Sequence, residues 1–364
     1  MKIGINASFL NEKPTGVGVF TREVSSRLCA LHPETVILTS VPIAGVGDDR
    51  IRKTPFSVRG GMKFSSNLMR MIYDNALLPF AIRRYGIDVL FCPILEFPLI
   101  PTSRLVVTVH DLHPIYFPEQ FGMAARHFRF SLKLLPRIAD RVIVPSHFVK
   151  EEILKVCAVE SRRIDVLHGG YDSHVFKPLS TGMEKDSLER HGIRGPYILF
   201  VGSLFPYKNV TTLIKAFLEI KNRIPHSLVI IGKRELSRDP LPEDERIHCI
   251  GYIEREGLAT FYSSADLLVH PSFFEGFGIT ILEAMACGAP VISSRGGSLP
   301  EVVGDAGILF DPHDGASLSR LILDVLGNRR LRNELVEKGF EQVKGFSWDK
   351  TAAGVLRTCE QAVS

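Results

Sequence analysis

Short apolar runs recur along the chain. Each is followed by a glycine- or proline-marked turn and then by a longer stretch with helical spacing. Residues 2–7, 88–92, 105–109 and the RVIV of ADRVIVPSH are four such runs; residues 198–201, LVIIG, IHCIGYI, 267–269 and GILF continue the series. The runs are continuously apolar rather than alternating, which predicts strands of parallel sheets covered by helices on both faces. Helices are expected from about Thr21 to Leu31, after Ser146 as N-cap, from about Val210, and through the tail FSWDKTAAGVLRTCEQAV. The three prolines of PILEFPLIP make that stretch an ordered loop.

The alternation occurs twice, so the expected fold class is α/β, with two Rossmann-like, doubly wound parallel-sheet domains. The 364 residues also exceed what a single hydrophobic core supports. The boundaries read as 1–172 for the first domain, 173–345 for the second and 346–364 for a final helix. Residues 179–196 are polar and turn-rich, and read as linker plus a short helix.

Composition excludes disorder: 45% of residues are hydrophobic and 23% charged. The net charge of +4 is uneven, with 22 Lys+Arg against 16 Asp+Glu over residues 1–172 and 22 against 24 over 173–364. That surplus suits an anionic membrane face or a phosphorylated acceptor, and equally an ordinary solvated surface. It falls short of a nucleic-acid footprint. Residues 50–70 interleave Lys and Arg with apolar residues and contain no acid. They read either as an interfacial surface or as a solvated loop. Arg126, Arg129, Lys133 and Arg137 recur every three or four positions and so line one helical face, facing lipid or a lipid-linked diphosphate, or else solvent.

The six cysteines are scattered without a C-x-x-C and read as reduced thiols of a cytoplasmic protein. The N-terminus lacks a signal-peptide pattern, and no apolar run is long enough to span a membrane.

The chemistry concentrates in residues 266–290, DLLVHPSFFEGFGITILEAMACGAP. A strand over 267–269, a loop over 273–278 and a helix over 279–287 are predicted, the helix stopped by Gly288 and Pro290. Glu275 lies in the loop and Glu283 about a turn into the helix. Gly276 and Gly278 allow close backbone approach, and amides around Phe277 to Thr280 lack intrahelical acceptors. A helix start of this kind favours a phosphate, and the carboxylates suit sugar or ribose hydroxyls. The bland alternative makes Glu275 a loop residue and Glu283 a solvated helix residue. Lys208, just before a helix start and near Gly202 and Ser203, suits a leaving diphosphate, although a lone lysine is also an ordinary surface residue. His110 and Asp111 end a strand, where ligands collect in open parallel sheets; a core or capping role is the alternative. Gly16 and Gly18 lack the third glycine of a dinucleotide fingerprint, because position 21 is Thr.

The string SFFEGFGITILEAMACGAPVISS, followed by GGSLPEVVGDAGILFDPHD, resembles the donor-site segment of glycosyltransferase family 4, the retaining GT-B enzymes. VVTVHDLHPIYFPEQF, the Ser146 segment, the Gly16–Gly18 loop and the Lys208 loop resemble further family segments in family order. The resemblance implies a GT-B protein with an interdomain active-site cleft and a last helix that crosses back to the first domain. It implies that Gly16, Gly18, Gly202, Ser203, Lys208, Glu275, Gly276, Phe277, Gly278, Ile279 and Glu283 bind the donor. His110, Lys208 and Glu275 would be catalytic and Asp111 would serve the acceptor. Two departures stand out. The family's Pro-Arg-Lys-Asn reads Pro206-Tyr207-Lys208-Asn209 here, and its Asn-Gly-Val-Asp reads His168-Gly169-Gly170-Tyr171-Asp172.

The implied function is retaining hexosyl transfer to a saccharide or lipid-linked saccharide in surface polysaccharide synthesis. Mannose or a deoxyhexose from a GDP-sugar is favoured over a UDP-sugar. No D-x-D stands at the donor site, and catalysis without a metal is expected. A peripheral place at the cytoplasmic membrane face is implied for the basic first domain. An epimerase or hydrolase on the same architecture, and a non-catalytic nucleotide-sugar-binding protein, remain alternatives.

Overall fold

The computed structural model describes residues 1–11, 16–54, 69, 72–179, 188–233 and 243–364. Most of the basic stretch 50–70 lies outside the described residues. The chain forms two compact units, Met1–Gly169 with Ser347–Ser364, and Gly170–Phe346.

The first unit is built on seven strands: β1 Ile3–Asn6, β2 Val36–Thr39, β3 Ile51–Lys53, β4 Val89–Cys92, β5 Arg104–Thr108, β6 Arg141–Val144 and β7 Ile164–Val166, in the order β3-β2-β1-β4-β5-β6-β7. The second has six: β8 Tyr197–Val201, β9 Ser227–Ile231, β10 Ile247–Ile250, β11 Leu267–His270, β12 Val291–Ser294 and β13 Ile308–Phe310, in the order β10-β9-β8-β11-β12-β13. Every pairing among these strands is parallel. β8 and β11 are wholly buried, as their unbroken apolar sequences require. Two apolar cores cover the second sheet, one including Leu199, Val229, Leu268 and Met285, the other Phe200, Ile230, Val269 and Phe217. Strand side chains alternate between faces, so neighbours along β8 and β11 fall in different cores.

Ser146 caps the helix His147–Val156, its Oγ accepting from Val149 N at 3.1 Å. The C-terminal helix Trp348–Val363 belongs to the first unit. It packs on the helix Gly16–Leu31: Arg27 Nε reaches Asp349 Oδ1 at 2.7 Å, and the buried Trp348 ring stands 6.0 Å from Phe20. Gly354 lets it approach Leu167, whose Cδ2 would lie 2.6 Å from an added Cβ.

Two expectations are corrected. The first long helix starts at Gly16, not near Thr21, so Gly16 and Gly18 belong to its first turn rather than to a loop. Burial of Gly18, Val19, Phe20 and Thr21 offsets the weak helix propensity of two glycines, and Thr21 Oγ1 returns a hydrogen bond to Val17 O. Residues 188–196 are not linker: Leu188 and Ile193 are buried in the second unit's core, and the units part between Gly169 and Gly170. No helix among the described residues is long and apolar enough to cross a membrane.

Candidate active site

β8 and β11 are neighbours at the middle of the second sheet, so the loops that follow them leave its C-terminal edge side by side. Ligands collect at such an edge in open α/β sheets. The loop after β8 passes through a single 3-10 turn, Pro206–Lys208, and then Asn209, a buried residue with φ 55°. Asn tolerates this left-handed conformation better than most residues. Its side chain does not cap the following helix, Val210–Ile220. Nδ2 donates instead to Pro271 O at 3.0 Å and Pro312 O at 2.9 Å. Phe273 N donates to Tyr207 O at 2.8 Å. The two loops are thus sewn together at backbone level, and Lys208 is delivered to Glu275.

Lys208 Nζ lies 2.6 Å from Glu275 Oε1, with side chains 16% and 8% exposed. The same oxygen accepts from Ser272 Oγ at 2.7 Å and from His270 Nε2 at 2.9 Å. Glu275 is therefore a buried, charge-paired carboxylate rather than a loop residue in water. Sequence reasoning missed His270, Ser272 and Asn209. The available signals were a histidine ending a strand, as at His110, and an asparagine between a lysine and a helix.

The segment after β12 supports the Glu275 loop from behind. Ser298 N and Oγ donate to Glu275 O at 3.0 and 3.1 Å, Ser298 Oγ also to Phe277 O at 3.0 Å, and Ser294 Oγ to Ser272 O at 2.5 Å. Gly296 and Gly297 permit this approach, because a Cβ on Gly296 would lie 2.2 Å from Ser272 O and one on Gly297 2.4 Å from Glu275 O. Gly297 also has φ +69°. Gly297→Ala is expected to cost about 2–3 kcal/mol, combining left-handed backbone strain with a clash against main chain. It should also weaken nucleotide-sugar binding. Urea unfolding and calorimetry check this, and unchanged values in both would show that the loop does not depend on this contact.

Glu283 lies in the helix Ile279–Ala286, buried, with Tyr262 Oη donating to its Oε2 at 3.1 Å. Burial pushes its carboxyl up to about 7, while the Arg255 charge and the Tyr262 hydrogen bond pull it down and Asp172 adds to the rise. Burial, with the Glu283 charge behind it, raises the Tyr262 phenol well above its ordinary value, so it stays a donor. Tyr262 and Arg255 are further members that sequence reasoning missed.

The remaining donor-side residues contribute backbone. Gly202 N donates to Ile231 O at 2.9 Å, and a Cβ on Gly232 would meet Gly202 O at 1.8 Å, so the loops after β8 and β9 touch. Ser203, in the same loop, is half-buried. Gly276 follows Glu275 in the buried loop. The Phe277 ring packs in the core 5.8 Å from Phe346, leaving only its main chain for a ligand. Gly278, φ 108°, is the N-cap before Ile279. Tyr207, where the family carries arginine, is buried and stacks on Phe205 at 5.3 Å.

In the first unit, His110 is half-buried beyond β5, with Nε2–H donating to Pro93 O at 2.8 Å and its ring 4.7 Å from Phe20 of the Gly16–Leu31 helix. Burial lowers its pKa, against the opposing effects of the Pro93 bond and Asp111. Asp111 Oδ1 takes both the backbone N and the ring Nδ1 of His113 at 3.0 Å. Burial would raise the Asp111 carboxyl, but His113 outweighs it and holds the group below its ordinary value. His113 is accordingly a buried structural partner of Asp111.

The two parallel, Rossmann-like sheets are those of a GT-B protein, and the comparisons with known proteins give the class. Residues 14–175 match the model for Glycosyltransferase Family 4, and residues 185–342 that for Glycosyl transferases group 1. The O-antigen chain mannosyltransferase B of Escherichia coli is 33% identical over 261 residues, 68% of this chain and 68% of its own. The D-inositol 3-phosphate glycosyltransferase of Acidothermus cellulolyticus is 30% identical over 244 residues, 62% of this chain and 54% of that one. Among solved structures, sucrose-phosphate synthase from Thermosynechococcus elongatus has the same fold at a TM-score of 0.78 and 20% identity, covering 100% of both chains. The chain belongs to glycosyltransferase family 4.

Proposed function

We propose that the protein transfers a hexose, mannose or a related deoxyhexose, from a GDP-sugar to a saccharide or lipid-linked saccharide, with retention at the anomeric carbon. The observation that carries this is the buried Lys208–Glu275 pair at 2.6 Å on the edge where parallel sheets bind ligands. Similarity to a mannosyltransferase supports mannose, and the family resemblance supports retention.

Glu283 accepts hydrogen bonds from the ribose hydroxyls, and Glu275 orients hydroxyls of the transferred sugar. As the bond from the anomeric carbon to the diphosphate breaks, negative charge grows on the leaving oxygen. Lys208, Ser203 and the amides of Gly276 to Ile279 stabilise it, without a divalent ion. The leaving oxygen takes the proton of the acceptor hydroxyl as the new bond forms on the same face. In the first unit, His110 is assigned to the sugar and Asp111 to the acceptor, and Gly16 and Gly18 to the donor. Arg126, Arg129, Lys133 and Arg137 are all exposed on the acid-free helix Met123–Ile138, which supports an anionic acceptor or an anionic membrane face for this unit.

The test is incubation with GDP-mannose and a mannose-terminated oligosaccharide in EDTA, with the product read by NMR. An α-linked product from the α-linked donor is expected. Sugar release that needs no acceptor would support a hydrolase instead. Binding without turnover would support a non-catalytic protein, the reading that the uncharged, packed Tyr207 favours.

A further inference from the structure

Glu275 poses a difficulty for the reaction just described. Its partner Lys208 has to turn to the diphosphate, yet Glu275 has to keep its orientation toward the sugar when the lysine leaves. A carboxylate on a loop with only one partner would swing after it. The other two donors on Oε1 do not face this conflict. Ser272 and His270 lie on or beside the end of β11, buried, and both point at the same oxygen.

His270 is held on every side. Its ring is 2% exposed and lies nearly parallel to Phe200 of β8, centroids 6.5 Å apart at 24°. Nδ1 is 3.4 Å from Thr280 Oγ1, in the first turn of the helix that carries Glu283. Nε2 is 2.9 Å from Glu275 Oε1 and 3.2 Å from Ser272 Oγ. A carboxylate oxygen only accepts, so Nε2 carries a hydrogen and donates it to Glu275. The serine has one proton, which goes to Glu275 at the shorter distance. His270 Nε2–H and Ser272 Oγ–H are thus both aimed at Glu275 Oε1.

We propose that His270 is a positioning residue for Glu275: with Ser272 it fixes Oε1 on the sheet edge, so that Lys208 can exchange Glu275 for the donor's diphosphate while Glu275 stays in place. The proposal rests on the assignment of Glu275 to the sugar and Lys208 to the phosphates. A misplacement of about 1 Å at a reacting group can cost on the order of 100-fold in activity.

The experiment compares wild type with His270→Leu and His270→Gln, measuring kcat and KM for GDP-mannose, Kd for GDP, and the urea midpoint. The Gln side chain reaches far enough to place an amide N–H near the Nε2 position, whereas Leu fills the space without a donor. Expected are a fall in kcat of about 10–100-fold for His270→Leu with Kd for GDP within about threefold of wild type, and recovery to within about fivefold for His270→Gln. A purely structural histidine would lower kcat, GDP affinity and the urea midpoint together, and Gln would rescue none of them. That pattern, or an unchanged kcat in His270→Leu, overturns the proposal. A wild-type protein that binds GDP but transfers no sugar overturns the transferase reading, and this proposal with it.

Discussion

Lys208→Ala should lower the single-turnover transfer rate by about two to three orders of magnitude, the loss of one preorganised group at a developing anionic charge, worth about 3–4 kcal/mol. It should also destabilise the fold, for a separate reason. Lys208 and Glu275 form a buried pair at 2.6 Å, and removing one partner of such a pair costs about 3–5 kcal/mol because the other charge stays behind. The cost should fall at the low end, since His270 and Ser272 still donate to Glu275 Oε1. The two effects separate in the double variant Lys208→Met with Glu275→Gln, which removes both charges: stability should return most of the way while turnover stays lost. Rapid-quench transfer and urea unfolding read the two quantities. A loss of rate below tenfold in Lys208→Ala would remove the lysine from the chemistry.

Nucleotide binding should depend on pH through Glu283. Its pKa in the folded protein, about 7, is above the ordinary 4.5, chiefly because of burial. The sign follows. Between pH 4.5 and 7 the unfolded chain has released this proton and the folded chain has not, so stability falls as pH rises through that window. Above 7 the ionised carboxylate costs the fold about 3 kcal/mol, 1.36 kcal/mol for each unit of difference. Glu283→Gln keeps an acceptor for Tyr262 and removes the charge, so it should be more stable than wild type at pH 8 and nearly equal at pH 4.5. Its affinity for nucleotide should be much weaker at pH 8. In wild type, binding that requires the carboxylate should weaken by up to about tenfold per unit below pH 7. Glu283→Gln shares the phosphate's own titration but should lack that extra slope. Parallel slopes for the two proteins in calorimetry would show that the ionised form of Glu283 is not what binds. An extra slope confined to wild type would make the site carboxylate a case of stability given up for function.

Local signals made much of this legible. Continuous apolar runs mark the strands because both faces of each sheet are covered, and Ser146 marks a cap because its hydroxyl finds an amide three residues on. The E-x7-E pair is visible because the glycines and the helix start lie in one unbroken stretch. Other features depend on contacts distant in sequence. The early start at Gly16 is set by burial of Gly18 to Thr21, which overrides propensity. Gly297 matters because Glu275 O lies where its Cβ would be, 22 positions away in sequence, and no periodicity encodes that. Asn209 spends its side-chain amide on Pro271 O and Pro312 O, 62 and 103 positions away, which nothing in its local sequence shows. His270 reads as the polar end of a strand until Glu275 is seen beside it.

The most direct measurement is calorimetric titration of the protein at pH 8 with GDP, UDP, ADP and dTDP, repeated on Glu283→Ala. GDP should bind tightest, and the substitution should abolish or strongly weaken that binding while the protein stays folded. Tight binding of another nucleotide, still weakened by Glu283→Ala, would keep the donor site and correct the base. Absence of binding by all four, or binding that Glu283→Ala leaves unchanged, would contradict a donor site in the second unit.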